Sequence, residues 1–341
     1  MTQTHMRREI NEIPEAVQRF LDTSGQAAAK AGEALRERDP AFVVTVARGS
    51  SDHAALFLKY AIELTAGRPV ASIGPSLASI YGARLKLTGG AAIAISQSGK
   101  SPDIVALAEA ARDGGALGIA LTNTLPSPMA DAMDHAINIA AGPELAVAAT
   151  KSYVNSIVAG LAVLAAWTKD EALERALAAL PGHLADAVTL DWSRLAGPLK
   201  DAGSLYMLGR GPALAIANEA ALKFKETSNL HAEAYSSAEV LHGPVALVER
   251  AFPVIGLVAR DAAESSVNEI LDGLQAKGAR AFATSHKAAA ATKLPFVETG
   301  HPLTDALALV VPFYGFVESW SRACGFNPDQ PVALKKVTET R

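Results

Sequence analysis

The feature that most constrains this chain is an alternation of short apolar-rich runs with longer segments of helical period, met in the first half and again in the second. Phe42 to Val46 is such a run, ending in Arg48-Gly49-Ser50-Ser51, and a helical pattern follows from Asp52 to Leu64. Ala91 to Ile95 is a second buried-strand pattern, with the next helix beginning over Ile104 to Ala111. Gly118 to Thr122 and Ala136 to Ala140 read as further strands, and Lys151 to Trp167 as a closing helix. Strands that alternate with helices in this way predict an α/β fold on parallel sheets, because parallel strands need helical crossovers. In the second half, Ser204 to Leu208 runs into Gly209-Arg210-Gly211 and a helix over Ala213 to Thr227. Pro253 to Val258 is the next strand, a helix follows near Ser265 to Lys277, and Gly278-Ala279 matches Gly114-Gly115-Ala116 of the first half. The offset of about 160 residues is the scale of a duplicated domain rather than of a solenoid repeat. The expected organisation is a first domain over 1–167 with an N-terminal helix, a linker over 168–192 and a second domain over 193–341.

Composition narrows the class. Half of the 341 residues are hydrophobic and 19% are charged, enough to bury a large core. The formal net charge is -4, which argues against sequence-independent binding of nucleic acid. The one cysteine, Cys324, has no internal disulfide partner, which suits a reducing compartment, and no His/Cys spacing suggests a metal. Met1 to Asn11 is polar and charged, unlike a signal peptide, and the apolar run Val154 to Trp167 is too short for a bilayer. A soluble, cytoplasmic protein with no membrane partner is expected.

Open α/β sheets bind ligands beyond the carboxyl ends of their strands. The richest such loop is Ser96-Gln97-Ser98-Gly99-Lys100-Ser101-Pro102-Asp103. Ser101 suits an N-cap and Pro102 the first helical position. Hydroxyls and an amide gathered round a glycine at a helix N-terminus suit a phosphate monoester. A plain capped turn is the other reading. A nucleotide P-loop fails, since Ala94 stands where its first glycine is required.

Acid–base groups concentrate between Glu219 and Glu233. Glu219, Lys223 and Glu226 fall at i, i+4 and i+7 on one helix face, either a solvated stripe or an acid–base set. His242-Gly243-Pro244 places an imidazole on a turn, where its ordinary titration range suits a general acid or base. Near the C-terminus, Lys335 and Lys336 follow Asp329-Gln330-Pro331; lysines at chain ends are usually solvated, yet one desolvated in a cleft can act as an amine toward a carbonyl.

Taken in order, Gly49-Ser50-Ser51, Ser96-Gln97-Ser98-Gly99, Glu144 to Lys151, Leu208 to Gly211, Glu219 to Glu239, His242-Gly243-Pro244 and Asp329 to Thr338 resemble the sugar-isomerase (SIS) domain family. The pattern is similar to the isomerase half of glutamine:fructose-6-phosphate aminotransferase, and more so to the stand-alone, second type of glucosamine-6-phosphate deaminase. Arg48 to His53, Ser98 to Asp103, Ala148 to Tyr153 and Leu334 to Thr338 point to the latter. The resemblance implies two tandem SIS domains, each a mostly parallel sheet flanked by helices in three layers. It implies isomerising deamination of glucosamine 6-phosphate to fructose 6-phosphate and ammonia, without metal or cofactor, in a homodimer with shared active sites. It assigns Ser96, Gln97, Ser98 and Ser101 to the phosphate, Ser51, the Val147 backbone and Lys335 to the substrate, and Glu226 to the proton moved between C1 and C2. His242, donated by the partner subunit, would assist ring opening. Lys336 would lie against the open-chain carbonyl, and Lys223 would support proton transfer. Lys100 and Ala149 depart from the aminotransferase pattern, and with no glutaminase segment glutamine is not the expected nitrogen source. Alternatives on the same scaffold are a galactosamine-6-phosphate deaminase, a fructosamine-6-phosphate deglycase, an aminotransferase isomerase domain and a non-catalytic sugar-phosphate sensor.

Overall fold

A computed structural model describes residues 3–331, 334 and 336. The helices in chain order are α1 (His5–Asn11), α2 (Ile13–Arg38), α3 (Ser50–Thr65), α4 (Ser76–Ser79), α5 (Pro102–Asp113), α6 (Pro128–Asp131), α7 (Lys151–Thr168), α8 (Glu171–Val188), α9 (Ala196–Leu199), α10 (Pro212–Ser228), α11 (Glu264–Ala276), α12 (Pro302–Ala308) and α13 (Val310–Ala323). The strands are β1 (Val43–Val46), β2 (Val70–Ser72), β3 (Ala91–Ser96), β4 (Leu117–Thr122), β5 (His135–Asn138), β6 (Ser204–Gly209), β7 (His231–Ser236), β8 (Pro253–Gly256), β9 (Arg280–Ala283) and β10 (Thr292–Lys293).

They form two five-stranded parallel sheets, ordered β2-β1-β3-β4-β5 and β10-β9-β8-β6-β7. Read from its own first strand, each sheet has the order 2-1-3-4-5, so the repeat inferred from the sequence is a repeat of topology. β1 and β3 are buried along their whole length, as central parallel strands covered on both faces must be. On one face of the first sheet, Val44, Val46, Ala92 and Ala94 pack with Ile104, Leu107 and Ala111 of α5 and with Met129 of α6. The second sheet repeats this, with Tyr206, Leu208 and Val254 against Val267, Leu271 and Leu274 of α11.

The strand-to-helix turns repeat in detail. Gly49 (φ 57°, ψ −134°) precedes α3 and Gly211 (φ 59°, ψ −136°) precedes α10. A side chain is strained in that left-handed region, and glycine removes the penalty.

Two expectations shift at their ends. Ala136 to Ala140 becomes β5 over His135–Asn138, because Ala140 turns to φ 52°, incompatible with a strand. The strand expected over Pro253 to Val258 ends at Gly256; the Val258 N–H leaves the ladder and donates to the Thr284 hydroxyl at 2.8 Å.

By internal contacts the chain divides into two compact units. One comprises Glu12–Glu144, Lys151–Pro181 and Lys335–Arg341 and contains the first sheet. The other comprises Met1–Asn11, Leu145–Thr150 and Gly182–Leu334 and contains the second. The stretch read as a linker holds α8, and the division falls within that helix, after Pro181.

Candidate functional site

In the first-sheet unit the strand order reverses between β1 and β3, and the loops after those two strands are the ones rich in hydroxyls. Ser51 lies half-buried in the first turn of α3. After β3 the chain curls tightly: the Gly99 N–H donates to Ser96 Oγ at 3.2 Å, and the Lys100 N–H to Ser98 Oγ at 3.3 Å. Gly99 has φ 63°, and a Cβ there would fall 2.4 Å from Ser127 Oγ and 3.0 Å from Thr122 Oγ1. Only glycine allows that approach. The loop is braced from the end of β4, where the Asn123 N–H donates to the Gln97 carbonyl and the Met129 N–H to the Gly99 carbonyl, each at 3.1 Å.

Ser101 occupies the N-cap position of α5 with Pro102 next, as expected, but its side chain makes no capping bond. That hydroxyl is therefore not consumed by the helix. A turn of α5 with positive dipole end, flanked by Ser98 and Ser101, can receive an oxyanion. Asp103, buried in the same first turn, is neutralised by an ion pair with Arg48, a cation that follows β1. The place of Arg48 just after a strand is the only signal of that pairing in the sequence.

The same unit holds a second polar cluster. Buried Glu144 accepts from the Ser152 N–H at 3.0 Å and the Ser152 hydroxyl at 2.6 Å, and from Lys336 Nζ at 2.9 Å. Lys336 is thus no solvated chain-end lysine but one half-buried and paired with a carboxylate. Lys335, assigned by resemblance to the substrate, lies outside the described residues.

In the second-sheet unit, α10 carries Glu219, Lys223 and Glu226. Their spacing admits a solvated stripe; the structure overturns that reading. Glu219 and Lys223 side chains are 0% and 1% exposed, and Glu226 is 20% exposed. Lys223 Nζ lies 3.1 Å from Glu219 and 2.5 Å from Glu226, and the Tyr314 hydroxyl of α13 donates to Glu219 at 3.1 Å. Burial works against the Lys223 charge, but Glu219 and then Glu226 outweigh it and hold the ammonium well above the usual lysine range. A lysine so held does not accept a proton. It pairs with Glu226 one turn on and holds that partly exposed carboxylate in place in the last turn of the helix. α10 then stops at Asn229 (φ 49°), and the polar run continues as the edge strand β7.

His242 is exposed just after a short 3-10 turn over Glu239–Leu241, as its Gly-Pro context suggests. Val147 is half-buried, and its N–H donates to the Asp329 carbonyl at 3.2 Å. The backbone group left to meet a ligand is therefore not that N–H. Among the described residues no three His, Cys, Asp or Glu side chains are placed to hold a metal ion, and no helix is long and apolar enough to cross a membrane.

Comparison with known proteins agrees with this geometry. The SIS domain family matches residues 38–166 and 198–291, one match over each sheet. A glutamine–fructose-6-phosphate aminotransferase (isomerizing) of Sulfurisphaera tokodaii is 32% identical over 97% of this chain and 56% of its own length. The chain thus spans about half the length of such curated relatives. A Silicibacter pomeroyi DSS-3 protein, provisionally called a phosphosugar isomerase, is 56% identical, with a TM-score of 0.93 over 96% of this chain and 100% of the other. A glucosamine-6-phosphate deaminase of Thermotoga maritima superposes with a TM-score of 0.77 over 99% of this chain and 100% of its own; at 20% identity that is a likeness of fold.

Proposed function

The chain belongs to the SIS domain family, and from that premise we propose that it is a phosphosugar isomerase that interconverts glucosamine 6-phosphate with fructose 6-phosphate and ammonia. The observation that carries this reading is the Glu219–Lys223–Glu226 set, in which a partly exposed carboxylate is held in the last turn of a helix by a buried ammonium that is itself paired. A sensor that only binds has no use for it. The hydroxyl loop Ser96 to Ser101 takes the phosphate, which anchors a small substrate and orients its reacting end.

The steps follow from the sugar's chemistry. A homodimer in which each protomer lends its His242 to its partner's site opens the ring and frees the C1 aldehyde. Glu226 removes the C2 proton, giving an enolamine, and returns it to C1. Lys336, paired with Glu144, polarises the open-chain carbonyl as negative charge builds on its oxygen. Lys223 holds Glu226 in place for the proton transfer. Ser51, the Val147 backbone and Lys335 align the sugar chain. Water then adds to the C2 imine and ammonia leaves, so one water is consumed for each ammonia and ketose formed.

A second reading is favoured by the aminotransferase relatives: this chain supplies only isomerase chemistry, and ammonia enters from elsewhere. Incubation of the purified protein with glucosamine 6-phosphate should release fructose 6-phosphate and ammonia in equal amounts. Interconversion of aldose and ketose 6-phosphates, with no ammonia released from glucosamine 6-phosphate, would favour the second reading. Neither reaction, on these or the epimeric amino sugar phosphates, would overturn both.

A further inference from the structure

We infer that Glu9 and Asp329 are positioning residues that hold the segment Leu145–Val147 through α1, a latch that sets the backbone of Val147. The inference rests on the role proposed above for that backbone. All its parts lie in the second-sheet unit. Three consecutive amides of the segment are held, none by a strand. The Leu145 N–H donates to Glu9 Oε1, the Ala146 N–H lies 3.3 Å from both Glu9 oxygens, and the Val147 N–H donates to the Asp329 carbonyl at 3.2 Å. Glu9 is 3% exposed, and a carboxylate is buried at such cost only when it is well hydrogen-bonded.

The two anchors are joined. The Asp329 carboxylate accepts the N–H groups of His5 and Met6 at 2.8 Å each, so a residue more than three hundred positions away caps the first turn of the helix that bears Glu9. A helix as short as α1 is not stable alone in water; its contacts fold it. Those contacts are specific. Arg7 Nε and Nη2 reach Glu318 of α13 at 3.0 and 2.6 Å, Arg7 Nη2 donates to Ser319 Oγ at 2.7 Å, and Thr4 Oγ1 donates to Glu318 at 2.8 Å. α13 thus fixes α1, and α1 with its cap fixes Leu145 to Val147. Nothing in this chain of contacts touches the reacting atoms, so the effect of breaking it falls on placement.

The test is amide hydrogen exchange on the full chain, with Glu9→Gln and Asp329→Asn variants. Losing a charged acceptor should speed exchange at Leu145 and Ala146 by about tenfold to a hundredfold in Glu9→Gln, with β3 and β8 amides unchanged. Asp329→Asn should expose His5 and Met6 first, and Leu145 and Ala146 with them; it gives the reading if Glu9→Gln does not fold. On glucosamine 6-phosphate, KM should rise about tenfold at nearly constant kcat, the signature of lost uniform binding. Unchanged exchange at Leu145 to Val147 in a folded variant would overturn the latch whatever the activity. Faster exchange with unaltered KM would overturn its positioning role. If the wild-type chain turns over no phosphosugar, it is the functional reading that fails, and the exchange result still decides whether the latch exists.

Discussion

The two crevices at which the sheets reverse their strand order share a topology and differ in what fills them. After β3 the loop presents Ser98 and a Ser101 hydroxyl that its own helix does not use. After β8 the corresponding groups are taken up internally. Glu264 opens α11, is buried, and accepts from Ser285 Oγ at 2.8 Å and Lys287 Nζ at 2.6 Å, while Arg260 is tied to Asp305 at 2.9 Å. Each helix opens on a buried carboxylate: Glu264 draws on Ser285 and Lys287, whereas Asp103 is paired with Arg48 and leaves the Ser101 hydroxyl unused by the helix. The second unit instead gathers a buried ion-paired set at the far end of α10, around Lys223 and Glu226. Topology fixes where a ligand can sit, and side chains decide whether that place is open.

The largest expected effect separates the two glutamates. Glu226→Gln should lower turnover by on the order of a hundredfold to ten-thousandfold with little change in KM, measured by steady-state kinetics. Glu264→Gln, in the closed crevice, should leave turnover within about threefold, since no role in orientation or proton transfer falls to it.

Next in size is the contrast between two lysines. Lys223→Met strands the buried Glu219 charge and should cost about 3–5 kcal/mol in urea unfolding. Lys287, 62% exposed, pairs Glu264 from the surface, and its loss should cost about 1 kcal/mol or less. Equal costs would erase the distinction between a buried set and a surface clamp.

Removing hydroxyls should act on binding in one unit and on stability in the other. Ser98→Ala with Ser101→Ala should weaken substrate binding by about 1.5–3 kcal/mol for each lost bond to a charged phosphate, seen as a raised KM in a protein of normal melting temperature. Ser285→Ala should instead lower the melting temperature, because a buried Glu264 loses a donor at a cost of about 1–3 kcal/mol, and leave KM alone.

The smallest effects are in pH and have opposite signs. Burial raises the Asp272 carboxyl, but the N–H groups of Ala291, Ala289 and Ala290 outweigh it and hold it below the ordinary range. Its stabilisation is complete above the unfolded pKa and is lost as pH falls through the lower folded value; Asp272→Asn should flatten that acid limb. Asp52, in the first turn of α3, is raised by burial against the pull of His53 and Ser72. There the folded state binds the proton more tightly, so stability declines as pH rises from the unfolded toward the folded pKa. Melting temperatures between about pH 3 and 6 for Asp52→Asn and Asp272→Asn should therefore shift in opposite senses.

Much of this was legible in the sequence where burial leaves a continuous signal. β1, β3 and β6 announce themselves because both faces are covered. β2 and β7 do not: only Val70 of β2 is buried, and β7 is an edge strand of largely half-buried residues such as Glu233 and Tyr235. The hydroxyl-rich loop was legible because its serines, gathered round Gly99, follow a strand directly. Its braces at Thr122, Asn123 and Ser127 have a subtler signal, their place at the end of β4 and just beyond it. The i, i+4, i+7 spacing of Glu219, Lys223 and Glu226 was visible, but not its burial, which depends on Tyr314 nearly a hundred residues on. Glu144 and Asp329 stand in stretches that carry the resemblance and Glu9 in none, but the roles of all three stay hidden, since long-range pairing leaves no local period.

The central claim is that Glu226 moves a proton at C2 of a sugar phosphate, and exchange of that proton tests it without regard to the fate of nitrogen. In deuterated buffer, NMR should find solvent deuterium entering C2 of glucosamine 6-phosphate with the wild-type chain and at least a hundredfold more slowly with Glu226→Gln, at matched saturation. Exchange at the wild-type rate in a folded Glu226→Gln variant would contradict the account and leave the α10 cluster a structural ion set.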